Sequence, residues 1–205
     1  MLEKLAKQTA VYGISTIAVR FLSYLLTPVF TRVFEPEAYG IVTDVYALIP
    51  FALVVLTMGL ESAYFRFAAK ADAAAAAAGG TEGEIAAQAR AGKRRLFATA
   101  WGVTLLAASL FFLLTAFGRE RVAEWMGEAY VAHPEYVLLV AAVVWFDVAA
   151  CLPFSRLREQ GRAMTFVGIK ALGVVVNVAL AIGFALAGLY GTPFGVGWVF
   201  VANLI

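Results

Sequence analysis

Two basic residues of this 205-residue chain, Arg20 and Lys170, lie inside long apolar segments. A charge near the centre of a bilayer costs at least about 2.5–3.5 kcal/mol on insertion scales, so it should face a polar cavity or a partner. A guanidinium group in such a cavity can pair bidentately with phosphate oxygens. The two residues therefore predict a polar cavity within a membrane, and Arg20 is a candidate anion-binding group in it.

A polar stripe surrounds Arg20 in the first apolar segment. Its members recur at steps of three and four residues and so share one helix face, as expected of a helix that lines a water-filled cavity: Thr9, Gly13, Thr16, Arg20, Ser23, Thr27 and Thr31, with Tyr24 beside them. Arg20 is eleven residues beyond Thr9, about 16 Å into the helix. We take Arg20, Thr16, Ser23, Tyr24 and Thr27 as candidate cavity residues. The alternative is a structural arginine that bonds carbonyls or an acid on another helix.

Three further polar residues lie inside the fourth and fifth apolar segments. Asp147 and Lys170 are each about seven residues, roughly 11 Å, from the same end of their helices. A buried Asp147–Lys170 pair is one prediction. The alternative is that Lys170 extends to the interface while Asp147 faces the cavity alone. Asn177 lies two turns beyond Lys170 on the same face and would extend the polar surface deeper.

Glu61 and Arg66 lie near the inner end of the second apolar segment. We predict that they form an ion pair at the inner gate of the cavity.

Five apolar segments must position these residues: 9–31, 41–65, 96–117, 134–154 and 163–189. Each has the roughly 20 residues that a helix needs to cross about 30 Å of hydrocarbon. The chain is 62% hydrophobic with a mean hydropathy of +0.84, too apolar for a soluble fold. The predicted fold class is all-α integral membrane.

The basic residues are sorted between alternate loops. Of the 16 Lys and Arg residues, 11 lie before the first segment or after the second and fourth, and three lie in the other loops. The positive-inside rule then predicts a cytoplasmic N-terminus. The first segment is too long for a signal peptide and lacks a small-residue cleavage site, so we interpret it as a retained span.

Two stretches outside the five spans have their own predictions. Residues 70–92, rich in Ala and Gly, are predicted to be a flexible cytoplasmic loop, with a partner-docking helix as the alternative. A sixth apolar run, 194–205, is too short to span. It predicts that the chain is a fragment that ends within a sixth helix, and that residues 1–205 form one N-terminal transmembrane lobe.

No motif for soluble-type catalysis is present, because the chain has no Gly-rich phosphate loop, no HExxH and no nucleophile–histidine arrangement. His133, the single histidine, is predicted to be a loop residue after a short interfacial helix, and Cys151 to be a packing residue. We therefore predict no enzyme, no metal site, no cofactor and no nucleic-acid partner.

Two stretches resemble a known family. Tyr12–Gly40 (YGISTIAVRFLSYLLTPVFTRVFEPEAYG) combines an arginine in the first span with a TR-x-F-x-P-E-x-YG outer turn, and 58–67 (MGLESAYFRF) forms the inner end of the second span. They are similar to polysaccharide biosynthesis proteins, the O-antigen-type oligosaccharide flippases of the MOP transporter superfamily. The basic inner loop 156–162 also fits. The resemblance covers essentially the whole chain.

The resemblance implies a first lobe of a two-lobed transporter in the bacterial cytoplasmic membrane. Its cargo would be undecaprenyl-pyrophosphate-linked oligosaccharide for polysaccharide or lipopolysaccharide synthesis, flipped by alternating access. Arg20 would then occupy the position of a cavity cation that meets the pyrophosphate. Membrane lipids, a coupling cation and a second lobe would be further partners.

Two other functions remain open. One is another transporter of the superfamily, either a peptidoglycan-precursor flippase or a multidrug exporter. The cation-coupled drug exporters usually carry an acid in the first span, and this chain has none between Thr9 and Thr31. The other is a non-transporting membrane scaffold, in which the polar stripe would be packed against protein.

Overall fold

The computed structural model describes residues 26–204, and within that range every regular element is a helix and none is a strand. The helices are α1 (Thr27–Val33), α2 (Pro36–Thr57), α3 (Leu60–Ala78), α4 (Glu82–Phe117), α5 (Arg119–Met126), α6 (Glu128–Val131), α7 (Pro134–Glu159), α8 (Ala163–Leu186) and α9 (Gly197–Asn203), with a 3-10 turn at Leu189–Gly191. The predicted all-α class is confirmed for this part of the chain.

Four apolar helical segments in the described range are long enough to cross a bilayer: Pro36–Ala78, Glu82–Phe117, Pro134–Glu159 and Ala163–Leu186. They contain most of the second to fifth predicted spans. The first predicted span, 9–31, lies mostly outside the described residues, and only its C-terminal end is seen, in α1. The sixth apolar run contains α9, a helix of seven residues. The count of five spans plus a partial sixth, and the orientation, stay predictions.

A backbone break divides the first of these four segments into α2 and α3. Met58 (φ 48°) and Gly59 (φ 67°) both take the left-handed conformation, which a right-handed helix cannot contain. Glycine adopts it without a steric cost, because it has no Cβ. The break places Glu61 in the first turn of α3, where a carboxylate interacts favourably with the helix dipole.

Residues 70–92 form a helical hairpin, which differs from the predicted loop. The hairpin joins α3 to the first half of α4 through Gly79, Gly80 and Thr81. Thr81 caps α4 reciprocally with Glu84, because the Thr81 side chain accepts from the Glu84 amide and the Thr81 amide donates to the Glu84 carboxylate. The alanines extend α3 because alanine is the best helix former, and the positive φ of Gly79 (73°) and Gly80 (119°) permits the reversal.

The long helix α7 lies at the centre of the described fold and contacts α2, α3, α4, α5, α8 and α9. In its most apolar stretch 39% of the residues are buried, against 6% in α8. The indole of Trp101 on α4 donates to the carbonyl of Ala149 at 2.9 Å, and Trp145 on α7 donates to Ser109 at 3.1 Å. These hydrogen bonds satisfy polar groups that would find no hydrogen-bonding partner in lipid. The helix α7 is therefore the central packing element of the described fold, whereas most of the surface of α8 is exposed.

A short helix, α5, lies between the third and fourth predicted spans, where the sequence predicts an interfacial helix. Its Trp125 side chain is 81% exposed. An apolar groove of about 320 Å³ lies between α2, α4, α5 and α7, with Trp125 on its lining. An exposed tryptophan beside apolar helices is typical of a membrane interface.

Candidate functional site

The structure describes six of the ten site residues that the sequence predicts: Thr27 of the first span, and Glu61, Arg66, Asp147, Lys170 and Asn177 of the later spans. Thr27 begins α1 and is exposed. The other four candidate cavity residues of the first span, Arg20, Thr16, Ser23 and Tyr24, lie outside the described residues, so their role in a cavity stays a prediction.

A polar strip runs along one face of α7 and continues onto α3 and α8. Asp147, Cys151 and Arg158 follow one another at steps of four and seven residues, which puts them on the same helix face. Eleven residues separate Asp147 from Arg158, so the strip is about 16 Å long. We define it by Asp147, Cys151 and Arg158 of α7, Glu61 of α3 and Lys170 of α8. It places polar groups inside helices that are otherwise apolar.

Asp147 and Lys170 are both exposed and are electrostatically coupled, but they do not form a direct ion pair. The positive charge of Lys170 interacts electrostatically with the carboxyl of Asp147 and with the thiol of Cys151. Its Nζ atom lies over the ring of Phe154, 4.3 Å from the centroid. A cation–π contact of this kind holds an ammonium group while leaving part of its surface open to another ligand. The structure therefore favours neither sequence alternative in full.

Glu61 is paired with Arg158 of α7, and not with Arg66 as the sequence predicted. Glu61 and Arg66 are five residues apart on α3, and residues at that spacing point in different directions from a helix. Arg66 is exposed. The carboxylate of Glu61 also accepts from the Cys151 thiol at 3.5 Å. The pair thus ties α3 to α7 within the strip.

Aromatic rings and a hydroxyl surround the Arg158 guanidinium. It lies over the rings of Phe65 and Phe166, at 5.4 Å and 5.7 Å from their centroids. Its Nη2 also donates to Ser155 Oγ at 3.2 Å. Because Phe65 is on α3 and Phe166 on α8, Arg158 connects three helices at this end of the strip.

Lys93 forms a second ionic cluster that sequence reasoning missed. Its Nζ atom lies 2.7 Å from Asp72 of α3 and 2.6 Å from Glu159 of α7. These contacts fix the base of the α3–α4 hairpin to the end of α7. The sequence signal was a lysine in an otherwise arginine-rich run, which by itself names no partner.

Asn177 belongs to a hydrogen-bonded network deeper along α8. Its Nδ2 donates to the carbonyl of Ala202 at 2.8 Å and to Oδ1 of Asn203 at 3.1 Å. Asn203 donates in turn to the Tyr46 hydroxyl on α2 and to the Val199 carbonyl. The network joins α2, α8 and α9, so the predicted cavity residue Asn177 also has a structural role. Tyr46 and Asn203 were not predicted.

A buried tyrosine closes the turn that leads from α8 to α9. The Tyr190 hydroxyl donates to the carbonyl of Ala181 at 3.0 Å. Burial, and secondly the nearby Tyr46 phenol, raises the pKa of Tyr190 to about 12. The phenol therefore stays protonated, and the hydrogen bond stays intact, throughout the physiological pH range.

Replacing Asn203 with alanine is expected to loosen α9. The change removes two bonds to other helices, to Asn177 and Tyr46, and one bond to Val199 within α9. Hydrogen bonds between helices in lipid are worth about 0.6 kcal/mol each. We expect a loss of about 1–2 kcal/mol and faster amide hydrogen exchange in 197–203. The matched variant Tyr46→Phe removes one bond and should give a smaller change in the same segment. Equal exchange in wild type and Asn203→Ala would contradict the network.

The single histidine has local partners. Its Nδ1 lies 2.9 Å from Glu135, and its ring stacks on Tyr136 with the centroids 4.8 Å apart. Within residues 26–204, no three His, Cys, Asp or Glu side chains form a cluster that could hold a metal ion.

A family profile described as polysaccharide biosynthesis protein matches residues 5–205. This chain belongs to that family. Membership of the polysaccharide biosynthesis family, together with the four apolar helices, indicates a multi-pass membrane protein and favours a transporter over an enzyme. No curated protein and no solved structure gave a significant match to the chain.

Proposed function

We propose that this member of the polysaccharide biosynthesis family is a lobe of a flippase. Its cargo would be oligosaccharide linked to undecaprenyl pyrophosphate, moved across the bacterial cytoplasmic membrane by alternating access. The observation that carries the proposal is the polar strip inside apolar helices. A strip about 16 Å long offers hydrogen-bonding and charged groups to a sugar–phosphate head group that hydrocarbon would exclude.

The strip contains the groups that such cargo needs. Lys170 supplies a cation that the Phe154 ring positions, and a cation can pair with phosphate oxygens. Asp147 supplies a hydrogen-bond acceptor for sugar hydroxyls. Arg20, in the predicted first span, would add a guanidinium near the midplane. Asn177 would extend the polar surface beyond Lys170.

The charge distribution supports a cytoplasmic hairpin. Most Lys and Arg residues of the described chain lie on α3, on the first half of α4 and at the end of α7, so the positive-inside rule supports a cytoplasmic location for that side. The polar strip then opens toward the cytoplasm, where a lipid-linked glycan would be loaded. A second lobe would complete the cavity and supply the opposite wall.

Disruption of the gene in the cells that make the protein tests this function. We expect surface glycan to fall and lipid-linked glycan to accumulate on the inner leaflet, with export restored by the wild-type protein and by Arg20→Lys in part. Arg20→Ala should not restore it, because it removes the cation. Normal surface glycan, combined with drug sensitivity or arrested peptidoglycan synthesis, would contradict the proposal and favour another transporter of the superfamily.

A further inference from the structure

Three arginines border a surface cleft on α4 that the proposed transport cavity does not include. The cleft has a volume of about 500 Å³, and the described residues that line it are Arg90, Ala91, Arg94, Arg95 and Ala98. All five side chains are exposed. Four of them lie just before the apolar part of α4, which begins at Leu96, and Ala98 lies in its first turn.

Helical geometry explains why these residues form a cleft. At about 100° per residue, Ala91 and Ala98 project from the middle of this face. Arg90 and Arg94 project to one side of them, and Arg95 to the other. The small alanines leave an open floor, and the long guanidinium side chains form its two walls. The spacing of Arg90 and Arg95 along the axis is about 7.5 Å.

The carboxylates of α3 and of the end of α7 are paired with other cations. Asp72 and Glu159 pair with Lys93, and Glu61 pairs with Arg158. Among the described residues, neither Arg94 nor Arg95 has a carboxylate within ion-pair distance. Arg90 donates through Nε to its own helix, at the carbonyl of Ala86, which leaves its terminal nitrogens for another acceptor. The cleft therefore has unneutralised charge and donors.

We propose that this cleft binds the phosphate group of an anionic phospholipid in the adjacent leaflet. Arg95 directly precedes the apolar segment, so the guanidinium groups lie at the depth of the lipid head groups. Each guanidinium group can donate two parallel hydrogen bonds to phosphate oxygens. Three guanidinium groups around one opening can therefore bind a single phosphodiester from several sides. The proposal does not depend on the cargo of the transporter.

The role of these arginines in membrane orientation can be separated from a role in lipid binding, because the positive-inside rule counts lysine and arginine alike. Exchange of the three arginines for lysine keeps the charge and the membrane orientation but removes the paired donors. Ala91→Leu keeps every charge and fills the floor of the cleft, and leucine is also a good helix former. The site predicts that both changes weaken binding, whereas a general charge attraction predicts that neither does.

The test is native mass spectrometry of the purified full chain in detergent micelles with added phosphatidylglycerol or phosphatidylcholine. We expect the wild type to retain phosphatidylglycerol preferentially. The triple variant Arg90→Gln/Arg94→Gln/Arg95→Gln should lose about tenfold in affinity, as expected for the loss of charged hydrogen bonds. The triple lysine variant and Ala91→Leu should each lose about threefold or more.

The matched control is Arg119→Gln/Arg121→Gln, which removes two exposed arginines from α5 at the other end of α4. It should bind phosphatidylglycerol as the wild type does. Wild-type affinity in the triple glutamine or the triple lysine variant would overturn the proposed cleft. Displacement of the lipid by millimolar inorganic phosphate would also overturn it, because the cleft would then be a site for soluble anions.

Discussion

Replacing Lys170 with alanine is expected to lower glycan export by at least tenfold while leaving the protein folded. Lys170 is the one cation of the polar strip that is exposed and has no ion-pair partner among the described residues, and the ring of Phe154 holds it at 4.3 Å. A charged hydrogen bond to phosphate contributes about 1.5–3 kcal/mol, which corresponds to roughly 10- to 100-fold. Surface glycan measured in cells that depend on this protein reports the loss.

Lys70→Ala is the matched control. Lys70 also lies over a phenylalanine ring, Phe67 at 5.3 Å, but on the hairpin and outside the strip. Its loss should leave export unchanged, and Lys170→Arg should retain most of it. Wild-type export by Lys170→Ala would remove Lys170 from the transport path.

Breaking the Glu61–Arg158 pair is expected to destabilise the fold by about 1–3 kcal/mol. Removing one partner of a buried pair costs about 3–5 kcal/mol, and these side chains are 37% and 35% exposed, so solvent screening reduces the loss. Glu61→Gln and Arg158→Gln should each lower the midpoint of thermal unfolding by several degrees. Unfolding in detergent, followed by circular dichroism, measures the change.

The exchanged double variant Glu61→Arg/Arg158→Glu should recover part of this stability, because the pair is restored in reverse. Arg66→Gln is the control, since Arg66 is the partner that the sequence predicted and the structure does not provide. A larger loss from Arg66→Gln than from Arg158→Gln would show that α3 and α7 are not joined as described.

Much of the fold could be predicted because hydrophobic length depends on local sequence alone. The spans that contain Asp147 and Lys170 appear where the apolar segments predict them. The depth of both residues follows from counting along a helix. Their coupling also follows, because a short connection joins α7 to α8.

The partners of Glu61 and Asn177 could not be predicted in the same way. Arg158 is 97 residues from Glu61, and Asn203 is 26 residues from Asn177. Such contacts depend on how the helices rotate and pack against one another. Residue types and spacing along a single sequence do not reveal that packing. A local ion pair with Arg66 was the simplest prediction, and it was wrong because the five-residue spacing separates the two side chains.

The helical hairpin at 70–92 shows a different limit of prediction from sequence. Composition alone describes 70–92 as a loop because of the adjacent glycines at 79 and 80. The Thr81–Glu84 capping box and the Lys93–Asp72 contact extend the helices on both sides. The Thr81–Glu84 capping box could be recognised in the sequence. The Lys93–Asp72 contact across the hairpin could be identified only from the fold.

Water access along the polar strip tests the central claim most directly. In a Cys151→Ser background, single cysteines would be placed at Asp147, eleven residues from Arg158, and at Leu106, eleven residues from Arg95 and 72% exposed. The two positions have similar predicted depth, so they differ mainly in which surface they occupy. A membrane-impermeant thiol reagent added from the hairpin side should modify Asp147→Cys and leave Leu106→Cys unmodified. Protection of both would contradict an aqueous path and therefore the transport proposal.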